Sequence, residues 1–179
     1  YILYDVVTSN HIENVTLTGS ANLTATGNSL RNTLIGNSGH NILTGGGGND
    51  MLRGEEGNDV LDGGTGNDTI TGDGGADMII GGFGADRLTG NGGNDTFKYL
   101  DIRDTGDTII LFTRGEDKID FSALDTNRTF GFSTQSLQAY GVYTFAENGN
   151  TVVQLDTDGN AQFDLGSDII GDKSALKSL

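Results

Sequence analysis

The chain has 179 residues, 30 of them glycine, with no proline, cysteine or tryptophan, and its 25 acidic and 10 basic residues give a formal charge of −15. That charge excludes nucleic acid and anionic membranes as partners, since both repel a polyanion, and the missing cysteine means that stability does not depend on redox state. No apolar run approaches the ~20 residues needed to span a bilayer, and the length suits one elongated domain or two small ones.

The chain opens at Tyr1 in mid-pattern, with neither an initiator Met nor a cleavable signal, and reads as a piece of a larger protein. Over residues 1–26, Val15-Thr16-Leu17-Thr18 and Asn22-Leu23-Thr24-Ala25 alternate as half-buried strands do, with a turn at Gly19-Ser20 between them. They are expected to form irregular first rungs that cover the open end of the structure that follows. His11 here and His40 further on are read as solvated loop residues.

Residues 45–98 then run through six nine-residue units without a slip: GGGGNDMLR, GEEGNDVLD, GGTGNDTIT, GDGGADMII, GGFGADRLT and GNGGNDTFK. Each opens with Gly, repeats Gly at its fourth place and carries Asp at its sixth: Asp50, Asp59, Asp68, Asp77, Asp86 and Asp95. The eighth place is always large and apolar, from Leu52 to Phe97. Two weaker units begin at Gly27 and Gly36 in the same phase, with Asn32 and Asn41 where Asp would be.

A unit of this composition has few ways to fold. Its first six residues suit a turn with positive φ values, which Gly adopts freely and Asn or Asp tolerate. The last three, such as Val60-Leu61-Asp62, alternate out-in-out as a short strand. One inward side chain per unit cannot close a core alone, so two units must face each other to make one turn of a coil, and the turns must stack. The expected fold is all-β, a parallel β-roll in which each unit pairs with the unit eighteen residues along.

Such a roll lacks something. One buried aliphatic side chain is too little to offset the ordering of nine backbone residues. Stacking also places Asp50, Asp68 and Asp86 along one edge and Asp59, Asp77 and Asp95 along the other, at about the inter-strand spacing of ~4.8 Å. Two carboxylates that close repel by about 3 to 4 kcal/mol at an effective dielectric of 20. A cation between turns removes the repulsion, and a flexible, all-oxygen ligand set of carboxylates and loop carbonyls suits calcium rather than zinc or copper.

The units resemble the repeats-in-toxin (hemolysin-type) calcium-binding nonapeptide GGxGxDxUx, strongly over residues 36–98 and weakly over 27–35. The resemblance implies a right-handed parallel β-roll in which each ion sits between two loops on one edge. It takes the second and fourth carbonyls and the Asp of one unit, with the first and third carbonyls and the Asp of the unit eighteen residues on. Transferred to this chain, one ion would take Gly46, Gly48, Asp50, Gly63, Thr65 and Asp68, and the next Glu55, Gly57, Asp59, Gly72, Gly74 and Asp77. A third would take Gly64, Gly66, Asp68, Gly81, Phe83 and Asp86, and a fourth Asp73, Gly75, Asp77, Gly90, Gly92 and Asp95. This implies about four calcium ions, with more possible at the ends of the roll. A site between the units at Gly36 and Gly54 would have Asn41 in place of one carboxylate and is expected to be weaker or absent. Glu55, Asp73 and Asn91 depart from the second Gly of the motif, and Glu55 is expected to be the most strained.

From Thr96 the texture changes to TFKYLDIRDTGDTIILFTRGEDKIDFSALD. This resembles the C-terminal region shared by serralysin-type metalloproteases, alginate C5-epimerase R-modules and other type I-secreted proteins, including adhesins. Leu111 replaces an Asp of that pattern. Phe97 and Tyr99, then Ile109 and Leu111, read as strands that continue the stack, with Phe121, Ala123 and Leu124 covering its far end. Further strands are expected at 129–132, 142–145 and 151–155. A tight hairpin turn at Asp158-Gly159 with a return strand over 162–165 explains DTDGNAQFDLGSDII better than a calcium loop, because Gly and Glu are missing from the places that an EF-hand loop requires. The tail GDKSALKSL is read as a short helix. The expected division is 1–26 for irregular β rungs, 27–98 for the calcium-binding roll, and 99–179 for a C-terminal β-rich cap that doubles as the region read in type I secretion.

No HExxH, GxSxG, Cys nucleophile or paired carboxylates outside the repetitive loops mark a catalytic centre, so no enzymatic activity is expected of this chain. The resemblance implies a calcium-binding module of a larger secreted bacterial protein, disordered in the low-calcium cytosol, exported by a type I transporter and folded outside the cell. An alternative reading is a carbohydrate- or surface-binding accessory module of an extracellular enzyme or adhesin. With few basic residues in the array (Arg53, Arg87, Lys98), a neutral glycan or a cell surface suits that alternative better than a polyanion. The third places (Gly47, Glu56, Thr65, Gly74, Phe83, Gly92) make no flat ladder of Thr or Asx, which excludes ice binding by that device.

Overall fold

The structure, a computed structural model, describes residues 6–7, 13–101, 103–113 and 115–124, together with backbone strands over 131–133, 141–147, 150–155 and 165–170. It is an all-β parallel solenoid with no helix among the described residues. In chain order the first strands are β1 (Val6–Val7), β2 (Asn14–Thr16), β3 (Thr24–Thr26), β4 (Thr33–Ile35), β5 (Ile42–Gly47) and β6 (Met51–Glu56). Then come β7 (Val60–Thr65), β8 (Thr69–Gly74), β9 (Met78–Phe83), β10 (Arg87–Gly92), β11 (Thr96–Lys98), β12 (Thr108–Ile110) and β13 (Lys118–Asp120).

Successive strands alternate between two sheets. The odd strands β1 to β13 make one seven-stranded sheet, and the even strands β2 to β12 form most of the other. Pairing is parallel throughout the array and offset by one full coil: Leu43 lies beside Leu61 and Leu61 beside Ile79, while Leu52 lies beside Ile70 and Ile70 beside Leu88. The eighteen-residue offset is the one required if two units complete a turn.

The array strands are twice as long as the three residues expected. Val60–Thr65 continues past Asp62 into the next unit, where Gly64 pairs with Gly82 and Thr65 with Phe83. A glycine keeps its backbone donor and acceptor, so the ladder crosses the unit boundary even where the side-chain alternation stops.

The core is a single file of side chains. Leu34, Leu43, Leu52, Leu61, Ile70, Ile79, Leu88 and Phe97 are fully or almost fully buried, one from each rung, with Val15, Leu17 and Ala25 extending the file upstream. At the other end Tyr99 and Ile109 join it, and Phe112, Ile119, Phe121 and Leu124 pack against it. The Tyr99 and Phe121 rings lie 5.2 Å apart. Two expectations here require correction. Leu111 is exposed at a φ of 57° and lies beyond the end of β12, and Ala123 is exposed, so neither helps to close the stack.

Beyond the array come β14 (Gly131–Ser133), β15 (Gly141–Glu147), β16 (Asn150–Leu155) and β17 (Leu165–Ile170). β17 pairs in parallel with β12, setting Ile109 beside Ile169, and then antiparallel with β16, which pairs antiparallel with β15. The strands expected near 129–132, 142–145 and 151–155 are thus present with shifted ends. The return strand runs over Leu165–Ile170 rather than 162–165, because the partner register puts Leu155 opposite Leu165. The turn at Asp158-Gly159, the tail helix and His11 lie outside the described residues.

Candidate metal centre

Six aspartates stand where the two sheets turn into each other, and all six are buried: Asp50, Asp59, Asp68, Asp77, Asp86 and Asp95. One oxygen of each is held by the backbone of the coil before. Oδ1 of Asp68 accepts the Asp50 N–H at 2.7 Å, and Oδ1 of Asp86 accepts that of Asp68 at 2.7 Å. On the opposite edge, Oδ1 of Asp77 accepts the Asp59 N–H at 2.8 Å, and Oδ1 of Asp95 that of Asp77 at 3.0 Å. Each edge therefore carries a ladder of carboxylates, one per coil.

The second oxygen is the informative one. Oδ2 of all six aspartates is buried without a hydrogen-bond partner. Burying a carboxylate oxygen unpaired is costly unless a cation is close by, so a row of such atoms marks places that suit a hard divalent ion.

Loop carbonyls meet these oxygens. A Cβ on Gly45 would fall on Asp50 Oδ2 and 2.6 Å from the Gly63 carbonyl oxygen; one on Gly54 would fall on Asp59 Oδ2 and 2.6 Å from the Gly72 carbonyl oxygen. Gly63 faces Asp68 Oδ2 and the Gly81 carbonyl, and Gly72 faces Asp77 Oδ2 and the Gly90 carbonyl, in the same way. Each opening Gly is thus required by crowding, since any side chain would occupy the space that carboxylate and carbonyl share. Carbonyls at the third place already work inside the ladder: those of Gly74, Phe83 and Gly92 each accept a backbone N–H at 2.8 Å, from Gly57, Gly66 and Gly75. A carbonyl oxygen has a second lone pair, so this bond does not exclude a cation.

The loops take the positive φ values that the motif demands. Gly64 sits at 97° and Gly66 at 126°, and their Cβ atoms would strike the carbonyls of Gly46 and Gly48 in the preceding coil. Glu55, Asp73 and Asn91, which replace the second Gly, are forced to 74°, 73° and 71°. Glu55 is the least suited, because Asp and Asn tolerate the left-handed region and Glu does not share their short polar side chain. Arg53 sits between the acidic pair, bonding Asp73 and lying 3.3 Å from Glu55.

Without a cation, burial makes these carboxylates easier to protonate than free ones. Burial pushes Asp77 and Asp86 up to about 7 and Asp59 and Asp68 to about 6, with neighbouring carboxylates adding to the rise at Asp68, Asp77 and Asp86, while Asp50 and Asp95 are raised mainly by burial. The hydrogen bond from the preceding backbone N–H pulls each one back only in part.

The nine-residue period missed the residues that end each ladder. Asp86 N–H donates to Asp107 Oδ1 at 2.9 Å, and Asp95 N–H to Asp117 Oδ1 at 3.0 Å, across 21 and 22 residues instead of eighteen. Asp104 lies beside Asp107, and burial pushes both carboxyls well above the usual range. Asp107 and Asp117 lie in the stretch from Thr96 that resembles the C-terminal region of type I-secreted proteins, whereas Asp104 is marked only by Asp-Thr-Gly-Asp, with Gly106 at a φ of 93°, where the spacing had already changed.

A second ladder runs outside the first. Asn49, Asn58 and Asn67 each accept, through Oδ1, the N–H of the residue eighteen places on, at 2.9 to 3.1 Å. His40 occupies the same place, and its Nδ1 accepts the Asn58 N–H at 2.6 Å. This is a structural role on the loop surface.

No curated protein sequence matches the chain. Among solved structures, the chain is similar to the AlgE6R3 subunit of the Azotobacter vinelandii mannuronan C5-epimerase, with 26% identity and a TM-score of 0.52 over 94% of this chain and 82% of that one. It also matches the AlgE6R2 subunit of the same enzyme, with 24% identity and a TM-score of 0.49 over 86% of this chain and 87% of that one. Residues 26–61 and 62–97 match the family of RTX calcium-binding nonapeptide repeats, described in four copies. Residues 26–97 of this chain are therefore RTX calcium-binding nonapeptide repeats, stacked as a parallel β-solenoid.

Proposed function

We propose that the chain is a non-catalytic calcium-binding module of a larger secreted protein, in which the bound ions order the roll. The observation that supports this most directly is the row of buried, partnerless Asp Oδ2 atoms facing loop carbonyls. On this reading the first ion takes Asp50, Asp68 and the carbonyls of Gly46, Gly48, Gly63 and Thr65. The second takes Asp59, Asp77 and the carbonyls of Glu55, Gly57, Gly72 and Gly74. A third takes Asp68, Asp86 and the carbonyls of Gly64, Gly66, Gly81 and Phe83, and a fourth Asp77, Asp95 and the carbonyls of Asp73, Gly75, Gly90 and Gly92. Calcium neutralises the carboxylate pairs and supplies the stabilisation that a one-residue-wide core lacks.

Calcium that binds only the folded state stabilises it by mass action, so export in low calcium followed by exposure to high calcium would couple folding to secretion. In that scheme residues 27–98 are the responsive roll, 1–26 its entry rungs, and 99–179 the cap and the region offered to a type I transporter. The test is circular dichroism and proteolysis with and without calcium. Calcium should produce β-structure and protease resistance over the roll; a roll that stays compact and resistant after thorough chelation overturns the reading.

The similarity to an epimerase subunit at 26% identity favours a second reading, an accessory module that holds an extracellular enzyme or adhesin to a glycan or cell surface. Calorimetric titration with mannuronan oligomers and with neutral glycans, in saturating calcium, separates the two. Heat of binding supports the accessory role, and none in either titration removes it.

A further inference from the structure

We propose that the sheet of odd strands carries, beside β9, a pocket for one ring of a protonated amino sugar. The proposal rests on the accessory-module reading above and names the class of glycan that such a module would hold. The pocket is a half-open cavity of about 170 Å³ in which Ile80, Phe83 and Leu100 supply apolar surface and Asp62, Asp101 and Asp104 supply carboxylates. That volume is well below the ~300 Å³ at which pockets for drug-sized ligands begin, so it suits a single ring.

The pocket follows from the way the ladder stops. β9 runs six residues, from Met78 to Phe83, but its neighbour β11 ends at Lys98 and pairs with it at Met78 and Ile79. Past that point Leu100, Asp101 and Asp104 face Ile80, Gly82 and Phe83 in place of a strand. On the other side Gly64 pairs with Gly82, and neither has a side chain to fill the gap. Ile80 is 8% exposed, whereas Phe83 and Leu100 are 39% and 50% exposed. Arg103 ties the connection to the sheet, paired with Asp101 at 2.7 Å and stacked 4.8 Å over the Phe83 ring.

The lining selects its ligand by charge and by hydrogen bonding. Arg103 neutralises Asp101, but among the described residues no cationic side chain pairs with Asp62 or Asp104. Asp62 lies beside Ile80 on the adjacent strand and accepts the Gly64 N–H. Asp104 accepts the Gly82 N–H, and its Oδ1 is buried without a partner. Ionised carboxylates accept and do not donate, so the ligand must bring both the donors and a positive charge. A protonated amino sugar brings an ammonium for Asp62, hydroxyls for the remaining oxygens and a C–H face for Ile80, Phe83 and Leu100. A uronate would add negative charge to an acidic pocket, and a lysine side chain has no hydroxyls to offer. Asp62 belongs to none of the calcium sets above, so the pocket can be altered there without touching the ions of the roll.

The test is calorimetric titration in saturating calcium with protonated glucosamine oligomers, against oligomers of N-acetylglucosamine and of mannuronan. Glucosamine oligomers should bind, and the other two should bind at least roughly tenfold more weakly, because acetylation removes the charge and a uronate reverses it. Asp62→Asn keeps the shape and the acceptor for Gly64, and should weaken glucosamine binding by at least roughly tenfold while the number of calcium ions stays the same. Glu13→Gln removes one charge at the entry rungs and should leave the affinity alone, which separates a site from the general attraction of a polycation to an acidic chain. Absence of glucosamine binding, equal binding of all three oligomers, or equal losses in Asp62→Asn and Glu13→Gln overturns the proposal. If Asp62→Asn fails to fold in calcium, Leu100→Ala decides in its place: weakened glucosamine binding supports the pocket, and unchanged affinity overturns it. Binding of N-acetylglucosamine or mannuronan oligomers without glucosamine would overturn this pocket and leave the accessory-module reading standing.

Discussion

The coils that carry Asn32 and Asn41 share the eighteen-residue register of those that carry the six aspartates, but their loops differ: the second place takes a positive φ in every Asp unit, from Gly46 to Asn91, and not at Asn28 or Asn37, and the buried polar atoms are satisfied differently. Over Gly27 and Gly36, Oδ1 of Asn32 and Asn41 faces the carbonyls of Gly45 and Gly54, as Asp Oδ2 does further along. Yet Asn41 Oδ1 also accepts the Asn37 N–H at 2.7 Å, and its Nδ2 donates to Asn37 Oδ1 at 3.0 Å; Asn32 Oδ1 likewise accepts the Asn28 N–H at 2.7 Å. An amide brings its own donor, whereas a carboxylate only accepts. The Asn coils meet these oxygens with protein groups, whereas Oδ2 of each Asp has no protein partner.

The strongest way to break this comparison is to remove calcium and follow hydrogen exchange. Amides in the strands between Met51 and Lys98 should lose most of their protection, while those that pair Asn14–Thr16 with Thr33–Ile35 should lose much less. Equal loss in both would show that the amide rungs do not stand alone. Next in size is Asp68→Asn against Asp50→Asn. Asp68 serves two of the proposed ions and Asp50 one, and each ion held at about 100 times its Kd contributes about 2.7 kcal/mol. Asp68→Asn should therefore lower stability in calcium about twice as much, as read by chemical denaturation.

The reverse exchange sharpens the point. Asn41→Asp would pair with Asp59 as the other carboxylates pair, and calorimetry should count one more calcium ion. In calcium-free buffer the same variant should be less stable by about 1 to 3 kcal/mol, because the amide donor is lost and a like charge is added.

Acidity should act on the two kinds of coil differently as well. In the calcium-free chain the folded Asp77 and Asp86 are raised to about 7 and Asp59 and Asp68 to about 6, above the ordinary value of 3.8 that they have when unfolded. The folded state then binds more protons over that window, so stability is greatest below about pH 4 and falls as pH rises to about 7. Melting in calcium-free buffer should show this order; with calcium present the trend should reverse, because protons compete with the ion. The Asn32 and Asn41 amides do not titrate and contribute nothing to either slope. Smallest of all, His40→Ala should cost about 1 kcal/mol for the lost Asn58 N–H bond, and His40→Asn should restore it, because Asn holds that place in other coils.

Much of this architecture could be read from the sequence because it is periodic. A nine-residue unit with one apolar place determined the eighteen-residue register, the single-file core from Leu34 to Phe97 and the two rows of aspartates, since each follows from stacking identical pieces. The positive φ at Glu55, Asp73 and Asn91 followed from the same phase. Only the tertiary structure decided how the rows end. Asp107 and Asp117 fit the C-terminal pattern, but they and Asp104 reach the ladders through connections of irregular length, so the nine-residue period did not say where those carboxylates would arrive. Folding likewise revealed that Asn37 and Asn41 satisfy each other, because hydrogen-bond partnership depends on the loop geometry that brings two side chains together, and residue type alone does not specify it.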